Sequence, residues 1–167
     1  MSIKTVGPKR CSTHMPLLIK CVLHTDGPIL ELGTGLYSTP LLHWLASEKQ
    51  RPLISHDDNE MYYQWARQFQ NGYHRIRLVT DWNKLNIKGH WSVALIDQSS
   101  KSRSDTAIAL KDKVDFIVIH DSDSNHPYKY DRIWPHFKYR FNYTKQQPNT
   151  TVVSNFDNLE WLNDALL

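Results

Sequence analysis

Residues 29–40 read ILELGTGLYSTP and carry the strongest structural signal in the chain. A short apolar run contains one acid, Glu31, and two glycines, Gly33 and Gly35, stand between that run and a Ser-Thr-Pro helix start. Glycines at this spacing let a backbone turn tightly and come close to a ligand. The stretch therefore predicts a buried strand, a tight turn and a helix for which Ser38 is the N-cap.

The remaining sequence repeats this order of strand and helix. Further helices are predicted at 15–24, 59–72 and 104–113, and further strands at 52–57, 75–81, 91–97, 114–121, 137–144 and 150–156. Near-continuous apolar strands separated by helices indicate a parallel sheet covered on both faces. No helix separates the last two strands, which predicts an antiparallel hairpin at the sheet edge. In the helix at 59–72, Met61, Trp65 and Phe69 recur at four-residue spacing and are predicted to face the core.

Length and composition favour one α/β domain over residues 1–167. The chain has no apolar run of about 18 residues or more, as a bilayer span requires, so we expect no membrane partner. The first ten residues lack a secretory pattern, which predicts a cytoplasmic protein. Two cysteines without a C-x-x-C pair predict reduced thiols. A net charge of +3, with scattered basic residues, leaves nucleic acid open as a partner but does not support it.

Acidic residues follow the predicted strands one after another. They are Glu31, Asp57 with Asp58, Asp81, Asp97, and Asp121 beside His120. Ligands of doubly wound sheets bind outside the carboxyl ends of the strands, so these side chains predict an electronegative rim. Such a rim suits a ligand with hydroxyls, an amine and a positive centre. A pyrophosphate is disfavoured, because Glu31 would repel it and Ser38 replaces the third glycine of a dinucleotide motif.

The stretch ELGTGLYST resembles motif I of the class I S-adenosylmethionine-dependent methyltransferases, E/D-x-G-x-G-x-x-S/T. The similarity continues through TDW, IDQS, FIVIHDSD and the final hairpin, and covers nearly the whole chain. It implies a doubly wound, mostly parallel seven-stranded sheet with helices on both faces and a C-terminal antiparallel hairpin. It also implies that S-adenosylmethionine is the cofactor. The implied activity is transfer of a methyl group to an oxygen or nitrogen of a small or exposed polar acceptor.

The resemblance assigns the glycine turn to the cofactor. Glu31 would lie near the methionine amino group, with the backbone of Gly33 and Gly35 beside the ligand. Leu36 and Ser38 would line the turn. The predicted N-terminal helical segment, residues 1–25, would lie over this site, although a helix-start cap explains its polar residues equally well.

The acidic strand ends are assigned to other parts of the cofactor. Asp57 would accept hydrogen bonds from both ribose hydroxyls, with Asp58 as the near alternative. Asp81 would accept from the adenine amine and Trp82 would lie beside the ring, whereas turn chemistry and core burial explain these two residues without a ligand. Asp97 would face the sulfonium and the methyl acceptor, or start a turn.

A weaker resemblance to a subset of small methyltransferases concerns residues 96–130. It implies that Arg103 orients an acidic or polar substrate and that His120 or Asp121 faces the pocket. Histidine chemistry allows His120 to act as general base, and a purely structural histidine is the alternative. Together with Asp97, these are the catalytic candidates.

The same residues are also compatible with a metal site and with other activities. Asp97, Asp121 and Asp123 could hold magnesium or calcium, but the usual Asp-Asn pair is not clearly present, and we expect no metal. A different reaction of the same cofactor, such as aminopropyl transfer or cofactor cleavage, is one alternative. A non-catalytic binding subunit of a modifying complex is the other. The sequence indicates no particular oligomeric state.

Overall fold

The computed structural model describes residues 9–99, 101–123 and 128–163, so residues 1–8 of the predicted N-terminal segment lie outside it. Within the described residues the strands are β1 (Ile29–Leu32), β2 (Leu53–Asp57), β3 (His74–Leu78), β4 (Trp91–Ile96), β5 (Val114–Ile119), β6 (Tyr139–Tyr143) and β7 (Thr150–Ser154). The α-helices are α1 (Met15–Leu23), α2 (Ser38–Glu48), α3 (Glu60–Ala66) and α4 (Arg103–Leu110). None of these helices has the length and apolarity to cross a bilayer.

The strands form one seven-stranded sheet in the order β3-β2-β1-β4-β5-β7-β6. The first five strands are parallel, and β7 runs antiparallel between β5 and β6. In the register of the central strands, Leu32 stands beside His56 on β2 and Ile96 on β4. The carboxyl ends of β1, β2 and β4 therefore meet at one edge of the sheet. The predicted doubly wound sheet and C-terminal hairpin are confirmed.

The core consists of two clusters, one on each face of the sheet. Side chains alternate across a strand, so β4 sends Val93 and Leu95 to the cluster that α1 and α2 cover. The alternate residues Ala94 and Ile96 join the cluster that α4 covers, and so does Trp91 at the start of the strand. All six residues of β4 are buried, as a strand covered on both faces requires.

Helix α3 is shorter and more exposed than predicted. It ends at Ala66, its only buried residue, and a 3₁₀ turn continues to Phe69. Met61 is 41% exposed, so the prediction that this stripe faces the core is wrong. The helix packs mainly on β2 and β3, and β3 is the edge strand, so only one side of the helix finds a neighbour. Trp65 and Phe69 instead contact each other, with ring centroids 5.3 Å apart.

The start of α2 also differs from the prediction. Ser38 is the first helical residue rather than the N-cap, Tyr37 stands at the cap position, and no side chain caps it. The hydroxyl that serves the turn belongs to Thr39, whose Oγ1 accepts a hydrogen bond from the Gly35 amide at 3.0 Å. Thr39 therefore fixes the glycine turn that precedes the helix, and the predicted N-cap role of Ser38 is wrong.

Candidate active site

A cavity of about 250 Å³ opens at the edge where β1, β2 and β4 end. Its lining comes from the N-terminal segment, the glycine turn, the end of β2, α3 and the end of β4: Cys11, His14, Gly33, Thr34, Gly35, Leu36, Tyr37, Ser38, Asp57, Tyr62, Asp97 and Ser99. Two carboxylates contribute to this lining. Among the residues that the structure describes, no lysine or arginine does.

The glycine turn lies against the end of β4. Gly33 has φ +93°, and a Cβ there would lie 2.5 Å from both the carbonyl carbon of Asp97 and the amide nitrogen of Gln98. No side chain fits in that space, so the first glycine is required by packing and by backbone conformation together. At Gly35 a Cβ would lie 3.2 Å from Ser38 Oγ, a contact that a side-chain rotation can relieve.

Asp57 fixes the turn from the neighbouring strand. Its Oδ2 accepts hydrogen bonds from the amide and the hydroxyl of Thr34, both at 2.6 Å, and its Oδ1 accepts from the Asn59 amide at 2.8 Å. Burial raises the pKa of Asp57, and the Asp58 charge adds to that effect, while the three hydrogen bonds oppose it. A carboxylate oxygen has two acceptor sites, so Oδ1 has one left for a donor in the cavity.

Glu31 lies beneath the turn and does not line the cavity. It is fully buried, and its Oε1 accepts from the Thr39 hydroxyl at 3.0 Å, which in turn holds the Gly35 amide. Its Oε2 has no hydrogen-bond partner within residues 9–99, 101–123 and 128–163. Burial raises the pKa of Glu31 to about 7, and the Asp57 charge acts in the same direction. The acid of the motif therefore supports the turn through Thr39.

This burial predicts a specific pH dependence for Glu31→Gln. The pKa of the folded protein, about 7, exceeds the reference value of 4.5, so folding favours the protonated acid. The contribution of the protonated Glu31 to the free energy of unfolding is fully present below pH 4.5 and is lost as the pH rises through 7. We expect Glu31→Gln to be more stable than wild type at pH 8 by about 3 kcal/mol, and only slightly different at pH 5.

Urea unfolding of both proteins across this pH range measures the difference. Glu48→Gln, on the exposed side of α2, is the matched control. A stability difference between Glu31→Gln and wild type that is the same at pH 5 and pH 8 would contradict the burial argument.

Arg103 ties the ends of β4 and β5 together. Its side chain is 3% exposed. Nη2 donates to the Asp97 carbonyl at 2.9 Å and to Asp97 Oδ1 at 3.0 Å, and Nη1 donates to the His120 carbonyl at 3.1 Å and to Asp121 Oδ2 at 3.3 Å. Nε donates to the Gln98 carbonyl. The prediction that Arg103 contacts a substrate is corrected, because its donors are directed to the protein's own carbonyls and carboxylates.

Asp97 is ionised within this network. Burial would raise its pKa, but the hydrogen bond from His120 and the charges of His120 and Arg103 outweigh burial and hold the pKa below its usual range. The carboxylate remains one-fifth exposed and lines the cavity. Asp97 thus places a negative charge at the cavity wall. Its low pKa makes it a poor proton acceptor.

Both ring nitrogens of His120 are engaged. Nδ1 lies 3.0 Å from Asp97 Oδ1, and Nε2 lies 3.0 Å from Thr13 Oγ1. The Thr13 hydroxyl donates its one hydrogen to the Pro148 carbonyl at 2.8 Å, so it accepts from Nε2–H. Burial lowers the pKa of His120, but the hydrogen bond and charge of Asp97, with the Asp121 charge, raise it overall. Because both nitrogens face groups of the protein itself and His120 does not line the cavity, the prediction that His120 is the general base is corrected.

His14 is the histidine in this region without partners. It is 1% exposed and lines the cavity, and neither of its ring nitrogens has a hydrogen-bond partner in the described part of the chain. Its ring meets the ring of His120 edge to face, with centroids 4.6 Å apart. Burial lowers the pKa of His14 to about 4, and the charges of His120 and Arg103 act in the same direction against that of Asp97. The imidazole is therefore neutral at physiological pH.

The chain is similar to known proteins in its structure but not in its sequence. No family model matches the chain, and no curated protein matches it by sequence. A ribosomal protein L11 methylase from Lactobacillus delbrueckii subsp. bulgaricus superposes with a TM-score of 0.63 at 14% identity, over 91% of this chain and 81% of that one. The N-terminal domain of human METTL16, crystallised with SAH, gives 0.57 at 12% identity, over 93% and 73%. A methyltransferase from Pyrococcus furiosus gives 0.54 at 11%, over 87% and 84%.

The chain has the class I methyltransferase fold. In this methyltransferase fold, the structure brings six of the predicted cofactor-binding residues to one cavity: Gly33, Gly35, Leu36, Ser38, Asp57 and Asp97. It does not bring Glu31, Asp58, Asp81 or Trp82 there. The predicted rim of acids is therefore reduced to two cavity carboxylates, because Asp121 is turned to Arg103.

The end of β3 explains why Asp81 and Trp82, the predicted adenine contacts, do not line the cavity. Strand β3 ends at Leu78, and Asp81 lies beyond it as the N-cap of a 3₁₀ turn, accepting from the Asn83 amide at 2.9 Å. Trp82 is 8% exposed and lines a different cavity, beside α4. Contact of these two residues with adenine stays a prediction. Burial of Trp82 and turn formation by Asp81 agree with the alternatives considered from the sequence.

Besides Cys11 and His14 of the N-terminal segment, four cavity residues were missed by sequence reasoning: Thr34, Tyr37, Tyr62 and Ser99. Thr34, the residue between the two glycines, donates twice to Asp57, and a hydroxyl residue at that position was an available signal. Tyr37 precedes α2, and Tyr62 lies in α3 one turn after the Asn59 cap. No sequence spacing indicates Tyr62, because its role depends on how α3 leans over the end of β2.

Proposed function

We propose that this chain is an S-adenosylmethionine-dependent methyltransferase and that its cavity holds the cofactor. The observation that carries the proposal is the joining of the glycine turn to Asp57 at the carboxyl ends of β1 and β2, in a cavity with two carboxylates. The fold of known methyltransferases supports it, and one of those was crystallised with SAH. When bound, S-adenosylmethionine supplies a methyl group on a positively charged sulfur.

The chemistry of the lining fits this cofactor and disfavours a dinucleotide. S-Adenosylmethionine offers ribose hydroxyls, an amine and a sulfonium, all of which carboxylates attract. A pyrophosphate needs positive charge or free amides, and no basic side chain among the described residues lines the cavity. Asp57 would accept hydrogen bonds from the ribose hydroxyls, and the carboxylate of Asp97 would attract the positive sulfur. Glu31 acts indirectly, through Thr39 and the turn.

The acceptor would approach where the N-terminal segment and the end of β4 meet. Cys11, His14 and Ser99 contribute to the same cavity as Asp97. The polar side chains among these residues favour a small or exposed polar acceptor. Methyl transfer to oxygen or nitrogen is an in-line displacement, so the main task of these residues is to position the acceptor.

Titration calorimetry with S-adenosylhomocysteine, the demethylated product, tests the proposal. We expect wild type to bind this nucleoside and to give no heat with NAD. Asp57→Asn should lose about 100-fold in affinity or more, roughly 3 kcal/mol, because a charged acceptor is replaced by a neutral amide.

Asp58→Asn is the matched control, since Asp58 is the exposed neighbour and does not line the cavity. It should retain the wild-type affinity. Loss of binding in Asp58→Asn with retention in Asp57→Asn would overturn the residue assignment. Binding of NAD without binding of the nucleoside would overturn the function.

A further inference from the structure

Three side chains from distant parts of the sequence converge beside the cavity. His14 precedes α1, Asp97 follows β4 and His120 follows β5, and one ligand atom from each lies within 4.8 Å of the others. We propose that His14, Asp97 and His120 form a binding site for a divalent transition-metal ion of the zinc type. Two imidazoles and one carboxylate are the donors that such ions take in proteins, with coordination positions left open.

The position of His14 is the first reason. Its ring is 1% exposed, and both nitrogens lack partners among the residues that the structure describes. Buried polar groups are normally satisfied, so an imidazole in this state indicates a partner that the described residues do not provide. The ring lies edge to face against His120, with centroids 4.6 Å apart, and one of its nitrogens lies within 4.8 Å of a ligand atom of each of the other two candidates.

The hydrogen bonds of His120 are the second reason. The Thr13 hydroxyl gives its hydrogen to Pro148, so Nε2 must carry a hydrogen and donate to Thr13. In the neutral ring this leaves a lone pair on Nδ1, 3.0 Å from the Asp97 carboxylate. Two electron-rich atoms do not face each other at that distance unless a proton or a metal ion lies between them. Histidine ligands of metals are oriented in this way, by an outer hydrogen bond from the second nitrogen.

The charges around the cluster are the third reason. Arg103 contacts both Asp97, at 3.0 Å, and Asp121, at 3.3 Å. Histidine ligands of a metal are neutral, so in the metal-bound state two carboxylates would face one guanidinium, and a divalent cation would compensate the remaining negative charge. Arg103 also fixes the orientation of the Asp97 carboxylate, as outer groups of metal sites do.

This set differs from the all-acid site considered from the sequence. Asp121 is held by Arg103, and Asp123 accepts from the Asn149 amide at 2.9 Å. The two histidines replace them and change the preferred ion from magnesium or calcium to a transition metal.

Under the proposed function, the ion would assist the acceptor. A metal with open positions beside the cofactor cavity polarises a bound hydroxyl or amine and favours loss of its proton. Neither Asp97 nor His120 supplies that assistance by itself. The binding of metal does not depend on the proposed function, and the role in methyl transfer does.

The test uses the full chain, freed of metal by a chelator and titrated with Zn²⁺ by calorimetry and with Co²⁺ by visible absorption. We expect one equivalent of each ion and a cobalt spectrum typical of nitrogen and oxygen ligands. His14→Gln should lower the affinity about 100-fold or more. His90→Gln is the control, because His90 is half-exposed and pairs with Asp115 at 2.6 Å in a histidine–carboxylate pair away from the cluster.

Asp97→Asn provides a second variant, and the near-ultraviolet circular dichroism of each variant verifies that it is folded. No binding of either ion to wild type, or equal affinity in wild type and folded His14→Gln, would overturn the proposal and assign a proton to Nδ1. A parallel titration with S-adenosylhomocysteine separates the two hypotheses. Nucleoside binding without metal binding overturns only the metal site, and the reverse overturns only the proposed function.

Discussion

Arg103→Met is expected to lower the free energy of unfolding by about 3–5 kcal/mol, because it leaves buried charge uncompensated. The guanidinium is 3% exposed and contacts two carboxylates, those of Asp97 and Asp121. It also satisfies carbonyls at the ends of β4 and β5. Methionine fills a similar volume but donates no hydrogen bond, so both carboxylates and these carbonyls would lose the guanidinium, and only His120 beside Asp97 and the Tyr130 hydroxyl on the His120 carbonyl would remain as described partners of those two groups. Chemical denaturation of the variant and of wild type measures the loss.

Arg132→Met is the control for this prediction. Arg132 pairs with Asp105 at 3.1 Å, and both side chains are 58% exposed. Water screens such a pair, so the variant should change stability by less than about 1 kcal/mol. Similar losses in the two variants would show that Arg103 does not act as the buried link between the strands.

Gly33→Ala is expected to cost about 4 kcal/mol of stability. At φ +93° a residue with a Cβ pays about 1–2 kcal/mol in backbone energy. The added carbon would lie 2.5 Å from backbone atoms of Asp97 and Gln98, and overpacking of that kind adds about 1–3 kcal/mol. Because those atoms belong to the main chain at the end of β4, no rotamer change relieves the overlap. Urea unfolding gives the magnitude.

Gly89→Ala isolates the backbone part of this effect. Gly89 has φ +79°, but an added Cβ would meet nothing within 4 Å in the described structure. The variant should therefore lose only about 1–2 kcal/mol. If the losses at the two positions were equal, contact with β4 would not be the reason for glycine at position 33.

The sequence predicted the centre of the sheet well because the central strands are buried on both faces. β4 and β5 are continuous apolar runs, and in a chain with alternating helices such runs are typical of central parallel strands. Helix α3 was predicted less well. Its aromatic residues follow a helical period, which predicts that they share one face of the helix. Whether another element covers that face depends on the order of the strands in the sheet, which the period does not show.

The candidate site was predictable where backbone geometry demands a residue type. The glycine turn and the acid that ends β2 carry such demands, and both lie at the cavity. Arg103 and His120 were located at the correct end of the sheet but given the wrong chemistry. Their partners are main-chain carbonyls and the Thr13 hydroxyl, which a sequence does not display as contacts. The two His14 nitrogens without hydrogen-bond partners in the described residues are likewise evident only from the structure, which shows that the ring is buried.

The contacts of the Thr13 hydroxyl limit when the site can form during synthesis. It contacts His120 and the Pro148 carbonyl, which stand 107 and 135 residues further along the chain. During synthesis on the ribosome, the first partner of this hydroxyl emerges only after β5, and the second only with the turn before β7. The geometry around His120 is therefore completed only once Pro148 has been synthesised, after the residues of β1 to β6.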